Sequence, residues 1–358
     1  MSQIQRHAVV QKNGVQAAPS EAHHHHDKDN TAPNTGHCKN EHQKRVFVAE
    51  HKPFNKLAFS GTEQAKNPLL SRAKAKDFSY HLAQSLMLVK NTPLLKSYRN
   101  TAFCAWQIFK DGDKKTSRYC GNRWCLVCNR IRCAKLIGAY VPQLEKLADP
   151  YFVTLTVPNV YGHLLRQTIK DMKGNFSIIC GKHKKRHQRG TQDFKMNGLL
   201  KIECTYNRKL NNFHPHFHIV VDSKQAAKAL VSDWLELYPR SNKKGQDSRQ
   251  AKTGTAKEIF KYFTKIITPT DKGWGVYVGA MDTIFCAMRG MNTFTNIGNF
   301  RPVSEEIEEI QAVKNDDYSY GYSEYVPAIR DWVDTETGEL ETGYVRSKTL
   351  DEIIGNFI

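Results

Sequence analysis

A chain of 358 residues with 40% hydrophobic residues is long enough for about two domains and lean enough to leave polar segments outside the core. It carries 53 Lys+Arg against 35 Asp+Glu, a net of +18, with no run near the ~20 apolar residues of a membrane helix and no secretory signal at its start. Nine cysteines, three of them within nine residues, suit a reducing compartment and a metal site, so a membrane protein, a secreted disulfide scaffold and a wholly disordered chain are all disfavoured.

Residues 1–50 are polar, include four consecutive histidines at 23–26, and read as a disordered tail. Residues 51–100 form a helical N-terminal segment, because apolar residues such as Phe78, Leu82, Leu86 and Val89 recur at helical spacing over 68–98. Residues 101–147 are a Cys-rich segment. There Cys120, Cys125 and Cys128 offer three thiols at spacings compatible with structural Zn2+. The fourth ligand is Cys104 or Cys133. Cys104 is preferred, because 130–147 reads as a helix that carries Cys133 inward. Cys38, Cys180, Cys204 and Cys286 read as isolated thiols.

A catalytic domain is expected over 148–300. Residues 151–157 are β-branched and aromatic, a strand stopped by Pro158. A helix over 160–180 leads through a basic loop at 182–189 to a second strand at 199–206. After a turn at Asn211 and Asn212 a third strand runs from His214, pairing with the second as a hairpin. A helix at 224–237, a polar loop at 240–252 and a helix at 255–267 follow. Strands interleaved with helices, neighbours pairing antiparallel, give the α+β class. Residues 301–358 hold 14 acidic and 5 basic residues, a net of −9, and read as an acidic C-terminal tail that folds only in part. That leaves +27 on 1–300, a field favouring a polyanion, most simply nucleic acid.

Alternation puts His216 and His218 on one face of their strand, with Phe217 and Ile219 on the other. Two such imidazoles can hold one divalent ion, and Glu203 on the neighbouring strand is the natural third ligand if the hairpin pairs as drawn. Two histidines and a carboxylate with open positions suit Mg2+ or Mn2+ as a Lewis acid. Glu258 and Tyr262, four apart on a helix, share a face, and Lys265 sits near it. A tyrosine hydroxyl, with a pKa of ~10, needs help to act as a nucleophile. A neighbouring lysine and a metal-polarised phosphate would supply it.

Three blocks thus stand in order: Phe152-Val-Thr-Leu-Thr156, His214-Pro-His-Phe-His218, and Glu258 with Tyr262 and Lys265. The set resembles the HUH endonucleases, specifically the single-tyrosine plasmid rolling-circle replication initiators. The block from Tyr119 to Cys128 is similar to a segment upstream of the first block in that family, with Leu126 where a proline is common. The stretch from Arg289 to Phe294 is similar less closely. The resemblance covers about residues 100–300. It implies a central antiparallel sheet flanked by helices. It also implies tyrosine attack on a scissile DNA phosphate, giving a 5′-phosphotyrosine link and a free 3′-hydroxyl. Glu258 would be general base for water in the terminating cleavage. The expected substrate is origin DNA, single-stranded or extruded, in the bacterial cytoplasm, with a host helicase or polymerase as further partners. The basic stretch 181–192 is an additional recognition candidate. The rivals are a histidine-triad nucleotide hydrolase, a non-enzymatic DNA-binding protein reading through its cysteine cluster, and a transposase or relaxase of the same chemistry.

Overall fold

The computed structural model describes residues 68–111, 114–252, 259–260, 264–303 and 321–358, all within one compact unit. The tail expected over 1–50 lies outside the described residues. Helices α1 (Pro68–Met87) and α2 (Leu95–Ala102) precede strands β1 (Gln107–Asp111) and β2 (Lys114–Ser117) and helix α3 (Leu126–Leu144). Then come β3 (Tyr151–Thr156), α4 (Gly162–Gln188), β4 (Gly198–Asn207), β5 (Asn212–Val221) and α5 (Lys224–Leu237). Short strands β6 (Asp247–Gln250), β7 (Thr268–Thr270) and β8 (Gly273–Gly275) lead to α6 (Val278–Met288) and β9 (Phe294–Ile297). Strands β10 (Tyr322–Val326) and β11 (Asp331–Asp334) and helix α7 (Lys348–Gly355) close the chain. The class is α+β. Among the described residues no helix is long and apolar enough to cross a membrane.

The central sheet is five-stranded and antiparallel, in the order β6-β3-β5-β4-β9. One face carries Val153, Leu155, Leu200, Ile202, Phe217 and Ile219, all buried in the main core. Helices α4 and α5 cover it. The Phe217 ring lies 5.6 Å from Phe176 of α4 and 5.6 Å from Trp234 of α5. The α5 start is fixed by Ser223, whose hydroxyl accepts from the Ala226 N–H, the usual satisfaction of a free helix donor.

Gly198 shows how tightly the β4–β5 register is held. A Cβ there would run into the Val220 carbonyl of the paired strand. Gly198→Ala is therefore expected to cost about 1–3 kcal/mol or more, measured by denaturant unfolding. A variant as stable as the parent would contradict this close approach.

Four sequence expectations change. The basic run at 182–189 is not a loop; residues 182–188 are the last two turns of α4, and Arg189 caps it. Phe176, Ile179 and His183 continue its buried stripe at helical spacing, and His183 Nε2 meets Asp233 Oδ2 of α5 at 2.9 Å. The polar stretch 240–252 contains β6, an edge strand on β3 whose charged residues suit an edge. The helix expected over 255–267 falls mostly outside the described residues, and residues 264–267 form no helix but lead into β7. Finally, residues 321–358 are not a tail hanging from the fold. Strands β10 and β11 join β1 and β2 in a second antiparallel sheet, ordered β11-β10-β1-β2. Trp332 is fully buried, and its Nε1 donates to the Ala105 carbonyl at 2.9 Å. The acidic side chains there meet lysines from the other two strands: Lys110 pairs with Asp334 and Lys115 with Glu341.

Candidate metal centre

The second face of the central sheet is set by register. Glu203 of β4 lies directly opposite His216 of β5, and Lys201 opposite His218. On the other side of β5, Thr156 faces His216 and Thr154 faces His218. Opposed residues in an antiparallel pair project to the same side, so these six share one face. The ligand atoms of Glu203, His216 and His218 all fall within 4.8 Å of one another. Glu203 Oε2 stands 3.7 Å from His216 Nε2 and 3.6 Å from His218 Nε2.

Each group is oriented by a second contact. His216 Nδ1 donates to the His214 carbonyl at 3.0 Å, which leaves the Nε2 lone pair for a ligand. His218 Nδ1 lies 3.3 Å from Thr154 Oγ1, turning its Nε2 inward as well. Glu203 Oε1 accepts from the fully buried Lys201 ammonium at 2.6 Å, so Oε2 is the oxygen left for the histidines. Burial alone would raise the Glu203 pKa. The Lys201 charge leads the effects that outweigh it and hold the carboxyl well below its usual range. His214 is outside the trio. Its ring stacks on His216 at 5.1 Å and its Nδ1 meets Asn159 Oδ1 at 2.8 Å; burial pushes its pKa down to about 4.

Sequence reading missed Lys201, Thr154 and Gln246. The signal for Lys201 was its place two residues before Glu203, which alternation puts on the same face. Thr154 stands in the strand block already singled out. Gln246 braces the β3 end, accepting from the Thr156 N–H at 2.8 Å and donating to its hydroxyl at 2.9 Å. That contact crosses from a loop and leaves no local trace in sequence.

The catalytic residues expected on the helix are split. Glu258 and Tyr262 lie outside the described residues. Their described neighbours Ile259 and Phe260 are buried in a second apolar cluster with Phe152, Leu199 and Val220, and with Leu136 and Tyr140 of α3. Val220 shares the face of His216 and His218, so this cluster continues the histidine face toward α3. Burial lowers the Lys265 pKa, and the Glu203 carboxylate offsets only part of that fall.

Cys104, Cys120, Cys125 and Cys128 also converge, their sulfurs within 4.8 Å of one another. Cys133 points elsewhere, its thiol donating to the Phe260 carbonyl at 2.9 Å. Within the quartet, bonds from Cys104, Cys125 and Cys128 draw the Cys120 thiol down, while burial pushes Cys125 up. Cys180, Cys204 and Cys286 stand outside both groups, and Cys38 lies outside the described residues.

The family model described as "Replication protein" matches residues 113–324, more than half of the chain. A Staphylococcus aureus protein named "Protein rep" is 35% identical over 132 residues, which are 33% of this chain and 54% of that protein. A "Protein rep" of Streptococcus pneumoniae is 28% identical over 119 residues, 30% of this chain and 34% of its own length. One from Bacillus amyloliquefaciens is 26% identical over 156 residues, 39% of this chain and 44% of its own. The chain thus spans about a third to a half of the length of these relatives. No solved structure matches it significantly.

Proposed function

The chain belongs to the replication protein family, and on that footing we propose that it initiates replication by cutting one strand of origin DNA with Tyr262 as nucleophile. The carrying observation is the meeting of Glu203, His216 and His218 on one sheet face, which an apolar cluster holding Ile259 and Phe260, three and two positions before Tyr262, continues. The donor set fits a divalent ion: two imidazole nitrogens with their other nitrogens engaged, and a carboxylate oxygen held ionised. Mg2+ or Mn2+ bound there would act as a Lewis acid on a phosphate oxygen.

The residues carry the rest. Tyr262 attacks the scissile phosphorus, a P–O bond to tyrosine forms, and the bond to the 3′ oxygen breaks. The 3′ oxygen leaves as a hydroxyl, taking up in balance the proton the tyrosine gave. The 5′ end stays covalently on the protein, and the free 3′-hydroxyl can be extended by a polymerase. Lys265 contributes positive charge beside the reacting groups. Glu258 serves as general base for the water of the terminating cut. Positioning and charge neutralisation supply most of the rate in such in-line transfer.

The approach of the strand follows from the basic residues on β6 and the turn before it. Lys243 and Lys244 precede Gln246, which is bonded to Thr156 at the site, and Arg249 lies over the Phe152 ring at 5.2 Å. The basic end of α4 lies on the opposite layer of the sheet, so it serves duplex flanking the cut rather than the cut strand.

The test is a covalent trap. Full-length protein, Mn2+ and end-labelled single-stranded origin DNA are expected to give an adduct on a denaturing gel, mapped to Tyr262 by mass spectrometry. Tyr262→Phe should abolish the adduct and keep DNA binding. An adduct on His216, or one that survives Tyr262→Phe, would overturn the assignment. Binding without any cleavage by the parent protein would favour the non-enzymatic reading.

A further inference from the structure

We infer that Cys104, Cys120, Cys125 and Cys128 hold one zinc ion, and that the buried ammonium of Lys76 is the counter-charge of that site. The sulfurs come from separate pieces of chain. Cys104 follows α2, Cys120 follows β2, Cys125 caps the start of α3 and Cys128 lies in its first turn. Cys128 Sγ is 3.4 Å from Cys104 Sγ and 3.6 Å from Cys120 Sγ. A tetrahedral zinc with bonds of about 2.3 Å sets its sulfurs roughly 3.8 Å apart, close to these values and far from the ~2.05 Å of a disulfide. The Cys120 N–H also points at Cys104 Sγ, at 3.4 Å, the kind of contact that steadies a thiolate ligand.

Four thiolates around one divalent ion leave a net charge of −2 in a buried place. Lys76 answers it. Its side chain is fully buried, its Nζ donates to the Ala102 carbonyl at 2.7 Å, and no carboxylate among the described residues is in ion-pair contact with it. The rings of Trp106 and Tyr325 stand 4.9 and 4.8 Å from the ammonium, and that of Tyr80 5.8 Å. Rings of this kind stabilise a cation but do not neutralise it. The partner carbonyl of Lys76, Ala102, lies two residues before Cys104, which brings the ammonium to the cluster; burial lowers its pKa to about 8, and the thiolates of Cys104, Cys125 and Cys120 oppose that fall. A buried ammonium is costly without an anion, and the cysteine cluster is the anion it has.

The zinc would fasten α3 at its first turn, where Ser79 of α1 also accepts from the Leu126 N–H at 3.0 Å. Since α3 packs over the histidine face through Leu136 and Tyr140, the ion holds the floor beside the metal centre without taking part in cleavage.

The test uses full-length protein carrying His216→Ala and His218→Ala, so that the other cluster contributes no metal. Cobalt added to the metal-free protein is expected to give thiolate-to-cobalt charge-transfer and tetrahedral d–d bands saturating at one equivalent. Histidines near the N-terminus cannot produce that charge-transfer signature. Cys125→Ser should lose it. Because that variant can fail to fold, release of one zinc per chain when the folded protein is treated with a thiol-blocking mercurial is the second readout. Lys76→Met should weaken zinc binding about 10–100-fold in competition with a chelator, with the far-ultraviolet circular dichroism of the zinc-loaded protein unchanged. No charge-transfer band at any cobalt concentration, or no zinc released by the mercurial, would overturn the site. Unchanged zinc affinity in Lys76→Met would overturn the role of the lysine.

Discussion

Alanine at both His216 and His218 is expected to lower metal-dependent strand cleavage by at least about a thousandfold, equivalent to about 4 kcal/mol of charge stabilisation. Origin binding should persist, since the basic surface is untouched. The two Nε2 atoms are the neutral donors of the trio, each fixed by what its Nδ1 touches. Removing both leaves Glu203 Oε2 with no histidine beside it, while Oε1 remains tied to Lys201. His214→Ala is the control. That ring stacks on His216 but is bonded to Asn159, outside the trio, so its loss should cost no more than about tenfold, the low end for a supporting contact. Single-turnover cleavage with Mn2+ and a gel-shift titration separate the two effects. Cleavage by the double variant within tenfold of the parent would remove this face from the reaction.

Arg346→Met is expected to destabilise the protein by about 3–5 kcal/mol, lowering the unfolding midpoint by roughly 6–20 °C. Arg346 grips Asp77 of α1 with two nitrogens, Nη2 to Oδ1 at 2.5 Å and Nε to Oδ2 at 2.7 Å, and Asp77 is fully buried. Without the guanidinium a carboxylate stays in the interior with His81 and Tyr344 as its remaining side-chain contacts among the described residues. Burial alone would raise the Asp77 pKa, but Arg346 outweighs it and holds the group below its usual value. The pH dependence follows from that sign. A depressed folded pKa adds stability that is fully present above the unfolded value of ~3.9 and is lost as pH falls through the folded one. The gap between parent and Arg346→Met should therefore be full at neutral pH and narrow below about pH 4. A gap independent of pH would assign the loss to packing of the arginine stem instead.

What could be read from sequence was whatever is written in a local period. The two-residue alternation of His216, Phe217, His218 and Ile219 gave the two faces of β5, and the pairing with β4 brought Glu203 opposite. The spacing of Cys120, Cys125 and Cys128 suggested the quartet. Helix α5 was bounded correctly because its cap and its apolar stripe are both local. The second sheet was hidden for the opposite reason. Its strands are four or five residues long and rich in charge, and β1 pairs with a strand more than two hundred positions away. The basic end of α4 was mistaken for a loop because its Lys and Arg content masked a stripe carried by only Ile179 and His183. His183 belongs to the interior only because Asp233 of another helix meets it, a fact that no window of sequence contains.

The closing of β1 by β10 sets an order of events during synthesis. A nascent chain whose residues from 321 onward are still inside the ribosome has the α1 carboxylate without its arginine, and β1 with an open edge. Contacts so far apart in sequence form late, since the loop between them must close first. A message cut short before residue 321 would yield a chain with the histidine hairpin already made but its neighbouring layer unfinished. Translation past Arg346 is thus a condition for this closure, and products cut short before it should be drawn to chaperones and proteases.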